Sequence, residues 1–308
     1  MKHFEFSPSP VESLPYFSRK LEVELLVKRD DLAFPELGGG SKARMLQYLL
    51  YDLHDYEMLV TAGGPCSNFN RSCAMMCARL KKKFHLIEYT DRPEEFKTSV
   101  NYKLCKMAGM TTTRCEKSNV VQCINEVVNE LKTGGVDFKL VYGGGKSLEG
   151  IYSYYDAVSE LASQIDGVDH LFVACGTGTT LTGICAGMQK HFPQAKVHAI
   201  SVARSYENEY PVLLDDMRIL NDYLHTEYSF DQMIYHEEYL CGDYALYDEN
   251  ELNAIRECIS NEGMIVDPTY SGKAFYGMVD IIAKSKSFAG QKILFWNTGG
   301  LFNLLSEL

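Results

Sequence analysis

The stretch from His170 to Thr180, HLFVACGTGTT, decides the fold. Its first half is an unbroken apolar run with no polar alternation, the pattern of a strand buried on both faces of a parallel sheet. The glycines that follow turn the chain into a helical segment running towards Lys190. Outward from this stretch the same alternation repeats. MLVTA (58–62), FHLIEY (84–89), FKLVY (138–142), KVHAISV (196–202) and KILFW (292–296) read as strands. Leu46 to Leu53, Asn119 to Leu131, Ile151 to Ile165 and Leu252 to Ile259 show apolar residues three or four apart, the helical spacing. Strands alternating with helices predict an α/β fold with parallel sheets covered by helices. No repeat, low-complexity tract or linker stands out, so any domain boundary is compact or discontinuous.

Composition narrows the function. The 308 residues carry 30 Lys and Arg against 41 Asp and Glu, a formal net charge of −11 and a pI near 5.3. Such a field repels phosphate backbones and anionic headgroups, so neither nucleic acid nor membrane is expected as a partner. With 46% hydrophobic and 23% charged residues the chain can bury a sizeable core. Mean hydropathy is −0.17, and no apolar run approaches the roughly 20 residues that cross a bilayer. MKHFEFSPSPVESLPYF lacks the basic and apolar regions of a signal peptide, so a cytoplasmic protein is expected. In that reducing compartment the ten scattered cysteines read as free thiols, Cys73 and Cys77 as small core residues four apart on a helix. The eight histidines have no HxxxH or HExxH spacing, and no metal site is expected. Lys81 to Lys83 reads as a solvated helix end.

Ligands of open parallel sheets bind at the carboxyl ends of strands. Glycines cluster there: Gly63 and Gly64, Gly143 to Gly145, Gly176 and Gly178, Gly299 and Gly300. Cys175 to Thr180 joins a buried strand to a helix start, where converging amides and threonine hydroxyls make a phosphate cradle. The third glycine of a dinucleotide fingerprint is missing, since Leu181 stands in its place, so a lone phosphate is the better ligand. A tight turn with no ligand would have the same sequence. Gly145-Lys146-Ser147 resembles the end of a P-loop, but Leu140 stands where its first glycine belongs, and Lys146 reads as solvated.

Lys42 differs from the other lysines. It follows Gly38 to Gly40 and Ser41 and opens a helical segment, so its ammonium sits at the positive end of a helix and is biased towards the free, nucleophilic amine. A surface lysine at a helix start is the plain alternative. Together with a monophosphate cradle, such an amine suggests pyridoxal phosphate, held by its phosphate at one end and bonded to lysine at the other.

Lys28 to Asp31 (KRDD), Gly39 to Arg44 (GGSKAR), Gly63 to Arg71 (GGPCSNFNR), Asp267 to Ala274 (DPTYSGKA) and Phe295 to Gly300 (FWNTGG) then follow in order. In these motifs the chain resembles the D-cysteine desulfhydrase and 1-aminocyclopropane-1-carboxylate deaminase family, pyridoxal-phosphate enzymes of the tryptophan synthase β-like fold. The resemblance spans nearly the whole chain. It implies a fold type II enzyme of two α/β domains, residues 1–49 with 153–308 and residues 50–152, and a homodimer. It implies Lys42 as the Schiff-base lysine and Gly176, Thr177, Gly178, Thr179 and Thr180 as the phosphate loop. Ser67 and Asn68 match a Ser-Asn pair that donates to the substrate carboxylate and the cofactor's phenolic oxygen; by themselves they read as a helix N-cap. Ser271 falls near the pyridine nitrogen, and Tyr270 and Tyr244 border the substrate, a small amino acid.

The chain departs from the family at Ser41, where Asn usually precedes the lysine, at Met45, where a basic residue is usual, at Cys66 and Phe69 on either side of the Ser-Asn pair, at Asn297 in place of histidine, and at Leu301 and Phe302, where a proline is usual. The expected activity is β-elimination, as in D-cysteine going to pyruvate, ammonia and sulfide. The rivals are deamination of 1-aminocyclopropane-1-carboxylate, β-replacement in the manner of cysteine synthases, and a binding protein that has lost the chemistry.

Overall fold

The structure is a computed structural model and describes residues 1–242 and 246–307. In chain order its strands are β1 Val11–Ser13, β2 Glu24–Arg29, β3 Met58–Gly63, β4 Lys83–Glu88, β5 Thr111–Arg114, β6 Phe138–Val141, β7 His170–Cys175, β8 Lys196–Ser201, β9 Met233–His236 and β10 Lys292–Asn297. They form two sheets. The larger has the order β1-β2-β10-β7-β8-β9, parallel throughout except for β1 against β2. The smaller has the order β5-β4-β3-β6 and is wholly parallel. The chain leaves the large sheet after β2, builds the small one and returns with β7.

The expected strands are present, β7 with the expected bounds. Four others were not anticipated. β1 and β5 are short and largely polar, β9, MIYH, is a four-residue strand that is nowhere fully buried, and β2, ELLVKR, ends in two cations although it lies beside the central β10. Lys28 is nevertheless fully buried. Its Nζ donates to the carbonyl of Ser9 at 2.7 Å and pairs with Glu160. Arg44 bridges Asp30 at 2.7 Å and Glu160 at 3.0 Å. Tyr154 and the indole of Trp296 both donate to Asp30 Oδ2. Burial alone would raise the Asp30 pKa, yet Arg44 and Lys28 hold it below the usual carboxylate range. This network pins helix Ser41–Leu49 to β2, β10 and helix Leu148–Ala162. Arg44 and Lys42 are two residues apart and point away from each other, so the arginine side is locked while the lysine side faces elsewhere.

Helices Leu148–Ala162 and Thr179–His191 cover one face of the large sheet and pack closely. A Cβ at Gly183 would stand 2.2 Å from the Ile151 carbonyl oxygen, and one at Gly187 would stand 2.6 Å from Val158 Cβ. Glycine at these two places brings helix Thr179–His191, and the turn that precedes it, down to a fixed depth. Cys73 and Cys77 lie in the core of the smaller unit with Leu59, Phe84 and Leu86. No described helix is long and apolar enough to cross a membrane.

Candidate active site

The carboxyl ends of six parallel strands, four from the large sheet and two from the small one, converge on one cavity of about 290 Å³. β2 leads to Gly39 to Lys42, β3 to Ser67 and Asn68, and β6 to Gly144. β7 leads to Gly176 and Thr177, β8 to Ala203 and Arg204, and β10 to Thr298 to Gly300. The strand-end rule therefore holds for both sheets at once.

Lys42 enters from the first turn of its helix, after Gly40 at φ +90°. Its Nζ donates to the carbonyl of Gly144 at 2.9 Å and lies 3.7 Å from Met45 Sδ. Burial pulls the amine down from 10.5 to about 8, and the helix start acts in the same direction. Among the described lining residues there is no Asp or Glu, whereas Lys42, Arg71 and Arg204 all reach the wall.

The turn after β7 lines the same cavity. Gly178 adopts φ +80°, and a Cβ there would stand 2.6 Å from Leu213 Cδ2 and 2.8 Å from Glu209 Oε1. Gly176, Thr177 and Thr180 line the cavity, while Gly178 and Thr179 form the bend behind them. The first turn of the helix leaves its amides without intrahelical acceptors. The buried Thr179 hydroxyl has no partner either. Spare donors at a helix start, a wall with cations and no carboxylate, and one desolvated amine fit an anionic phosphate ester that carries an aldehyde.

Ser67 and Asn68 line the same cavity, and the Ser67 hydroxyl also caps its helix by accepting from Asn70 N at 3.2 Å. Tyr270 is at the wall. Tyr244 lies outside the described residues. Ser271 is not brought into the cavity. It is 1% exposed, and its hydroxyl is shared between Asp267 Oδ1 at 2.8 Å and the Gly299 carbonyl at 2.9 Å. Asp267 also accepts the amides of Thr269, Tyr270 and Ser271, so the DPTYS segment is a tight turn that aims Tyr270. Of the departures, Ser41 and Phe69 reach the wall. Asn297 lies behind it, donating to the Ile265 carbonyl and accepting from Gly299 N, and Met45 is packed beneath Lys42.

Thr298, Arg204 and Arg71 line the cavity without having been assigned roles from sequence. The signal for the first two was available, because each follows the carboxyl end of an apolar strand. Arg204 is tied to Glu209 at 2.8 Å. Lys146 pairs with Asp216 at 3.4 Å and lies outside the cavity wall.

The chain matches the family described as pyridoxal-phosphate dependent enzyme over residues 4–299 and belongs to it. It is 27% identical to a D-cysteine desulfhydrase of Klebsiella pneumoniae (strain 342) across 305 residues, 96% of this chain and 92% of that one. A solved homologue of 1-aminocyclopropane-1-carboxylate (ACC) deaminase superposes with a TM-score of 0.88 at 31% identity, covering 98% of this chain and 93% of the other. A serine racemase from Dictyostelium discoideum shares the fold at a TM-score of 0.70 and 17% identity, covering 95% and 92%. The protein is thus a pyridoxal-phosphate-dependent enzyme with the fold type II, tryptophan synthase β-like architecture that the motifs implied.

Proposed function

We propose that the enzyme catalyses β-elimination from a small β-substituted amino acid, with D-cysteine as the reference substrate. One observation carries the reading: a single desolvated amine, Lys42, shares with a glycine-threonine turn one cavity whose described wall holds no carboxylate. Gly176 to Thr180 would hold the phosphate and Lys42 the aldehyde carbon, and the bound cofactor supplies an electron sink for the α-carbanion. Lys42, with an amine near pH 8, is suited to take the α-proton once the substrate has displaced it. Ser67 is placed to donate to the substrate carboxylate and Asn68 to an anionic oxygen of the cofactor. Tyr270 borders the leaving group, and Tyr244 is assigned the same border by the motif alone. The Cα–H and Cβ–S bonds break and sulfide departs; the unsaturated amine released takes up water to give pyruvate and ammonia.

The solved ACC deaminase homologue favours a second reading, deamination of the cyclopropane substrate. Opening a carbon ring demands a stronger electron sink than expelling sulfide. A carboxylate that could keep the ring nitrogen protonated is absent from the described wall, which supports elimination. Ser271, assigned to that nitrogen from the motif, stays in this role only if its hydroxyl leaves Asp267; Thr298 is already at the wall. β-Replacement and ligand binding without turnover are the remaining alternatives.

The test is a screen of D- and L-amino acids for keto-acid release by cofactor-loaded protein. Sulfide from D-cysteine and chloride from β-chloroalanine are expected, with little turnover of the cyclopropane substrate; the reverse pattern would promote the rival. Borohydride followed by peptide mapping is expected to label Lys42, and label on Lys146 or Lys273 would overturn the assignment.

The same reading places the enzyme in the cytoplasm as a homodimer with no nucleic-acid or membrane partner, to be checked by fractionation and light scattering. It divides the chain into residues 1–49 with 153–308 and residues 50–152, supported by the two separate sheets. Helix Leu148–Ala162 runs across the second crossing and draws it back towards Gly143 to Gly145, where limited proteolysis is expected to cut.

A further inference from the structure

Arg71 is a buried cation with no carboxylate among its described partners. It is 2% exposed, its Nε has no hydrogen-bond acceptor, and burial lowers its pKa to about 10. Its remaining donors go to neutral oxygens: Nη1 to Asn68 Oδ1 at 2.8 Å and Asn101 Oδ1 at 3.0 Å, Nη2 to the Gly39 carbonyl at 3.3 Å and Ser72 Oγ at 3.2 Å. The guanidinium also lies 4.4 Å from the ring centre of Phe302. An unpaired buried charge is expensive, so an arrangement that keeps one beside a ligand cavity calls for a use.

That use is visible in Asn68. A guanidinium has donors only, so the atom of Asn68 that faces Arg71 must be its oxygen. The same oxygen accepts from Asn101 Nδ2 at 3.1 Å. With Oδ1 held by two donors from the rear, Nδ2 of Asn68 is the end left for the cavity. Asn101 is itself fixed, because its two N–H groups are shared among Asn68 Oδ1, the Cys66 carbonyl at 3.0 Å and Asn303 Oδ1 at 2.8 Å. Asn303 and Phe302 belong to the helix Leu301–Glu307, whose Ser306 hydroxyl accepts from Val100 N at 3.0 Å. That helix, reached from β10 through the Thr298 to Gly300 wall, therefore clasps the small-sheet unit that carries Asn68.

We propose that Arg71, Asn101 and Asn303 are positioning residues that lock the Asn68 amide with its N–H groups towards the cavity, so that it can only donate there. This rests on the reading of Asn68 as a donor to an anionic oxygen of the cofactor. A donor to the anion favours the deprotonated form, so losing the fixed orientation raises the pH midpoint of the cofactor's visible absorption band.

The experiment is a spectrophotometric pH titration of the cofactor-loaded enzyme and its variants. Asn68→Ala removes the donor and is expected to raise the midpoint by about one pH unit. Arg71→Lys keeps the charge but cannot hold several oxygens in one fork, and Asn101→Ala removes the second clamp. Each is expected to raise the midpoint by a smaller amount, and to add nothing in an Asn68→Ala background. If the Arg71 variant does not fold, Asn303→Ala, which loosens the clasp from the outside, carries the same expectation. A shift that persists undiminished without Asn68, or no shift in Arg71→Lys and Asn101→Ala, would overturn the proposal. A band that Asn68→Ala leaves unmoved overturns this orientation alone. A wild-type enzyme with no borohydride-sensitive band overturns the cofactor assignment and the proposal together.

Discussion

Lys42→Met is expected to stabilise the cofactor-free protein at pH 7 while abolishing the borohydride-trapped adduct. The wild-type amine is carried from 10.5 to about 8 by burial. Each pH unit of such a displacement corresponds to about 1.4 kcal/mol, so keeping the ammonium in the folded protein costs about 3 kcal/mol. Methionine has the length to fill the same space beside Met45 without a charge to desolvate. At roughly 1.5 °C per kcal/mol for a chain of this size, the variant should melt about 5 °C higher at pH 7. Between pH 8 and 10.5 the unfolded chain keeps a proton on Lys42 that the folded chain has released, so wild-type stability rises with pH across that window. The gap between the two proteins is therefore full below pH 8, narrows through the window, and closes above 10.5. Melting curves of both proteins at half-unit steps from pH 6.5 to 11 read this directly. A gap independent of pH, or a variant less stable at pH 7, would refute the reasoning.

Other outcomes follow from the same geometry. Gly176 has ordinary backbone angles and room for a Cβ, with Tyr270 Cε1 and Val202 Cγ2 both 3.7 Å away, so Gly176→Ala should weaken cofactor retention on dialysis with little change in the apo melting temperature. Gly178→Ala should lose both, because φ +80° alone costs about 1–2 kcal/mol and the Cβ also meets Leu213 and Glu209; indistinguishable dialysis and melting profiles for the two variants would count against the cradle. Asp30→Ala removes the buried carboxylate that accepts from Ser9, Arg44, Tyr154 and Trp296, leaving Arg44 with Glu160 alone, and should cost about 3–5 kcal/mol in urea unfolding, with no spectral change in any cofactor that still binds. The rate of cofactor loading should climb as pH rises through about 8, when the Lys42 amine becomes free, and a loading rate flat from pH 6.5 to 9.5 would contradict the low amine pKa.

The layers of this fold could be read from strands such as β3, β7 and β10 because helices cover them on both faces and their sequences are apolar without interruption. β2 was hidden by Lys28 and Arg29, since a lysine lying fully buried among Ser9, Glu160 and Gln164 has no signature in its own neighbourhood of the sequence. Helix Tyr206–Leu224 was obscured by Pro211, which reads as a stop but sits within the helix. At the site, Lys42 and the turn after β7 were legible because glycine and position on an element constrain them locally. Ser271 was not, because its hydroxyl is committed to Asp267 four residues earlier and to Gly299, a contact across 28 residues. Arg71 carried no signal beyond its motif, its role depending on Asn101 and on a helix more than 200 residues away in the chain.

β10 lies between β2 and β7 in the middle of the large sheet, although it is made after both of them. During synthesis, β2 has no parallel neighbour until residues 292–297 appear, whereas every partner of the small sheet is present once β6 has been made. The small unit can therefore condense early, as domains do when they emerge at roughly 5–20 residues per second, while the large sheet stays split. A ribosome stalled before residue 292 would hold a chain with Lys42 and the turn after β7 on two sheet fragments that still lack the strand between them. Reactive cofactor would then meet no assembled pocket until the last strand had slotted into place, and interrupted synthesis would yield inert fragments rather than leaky enzyme.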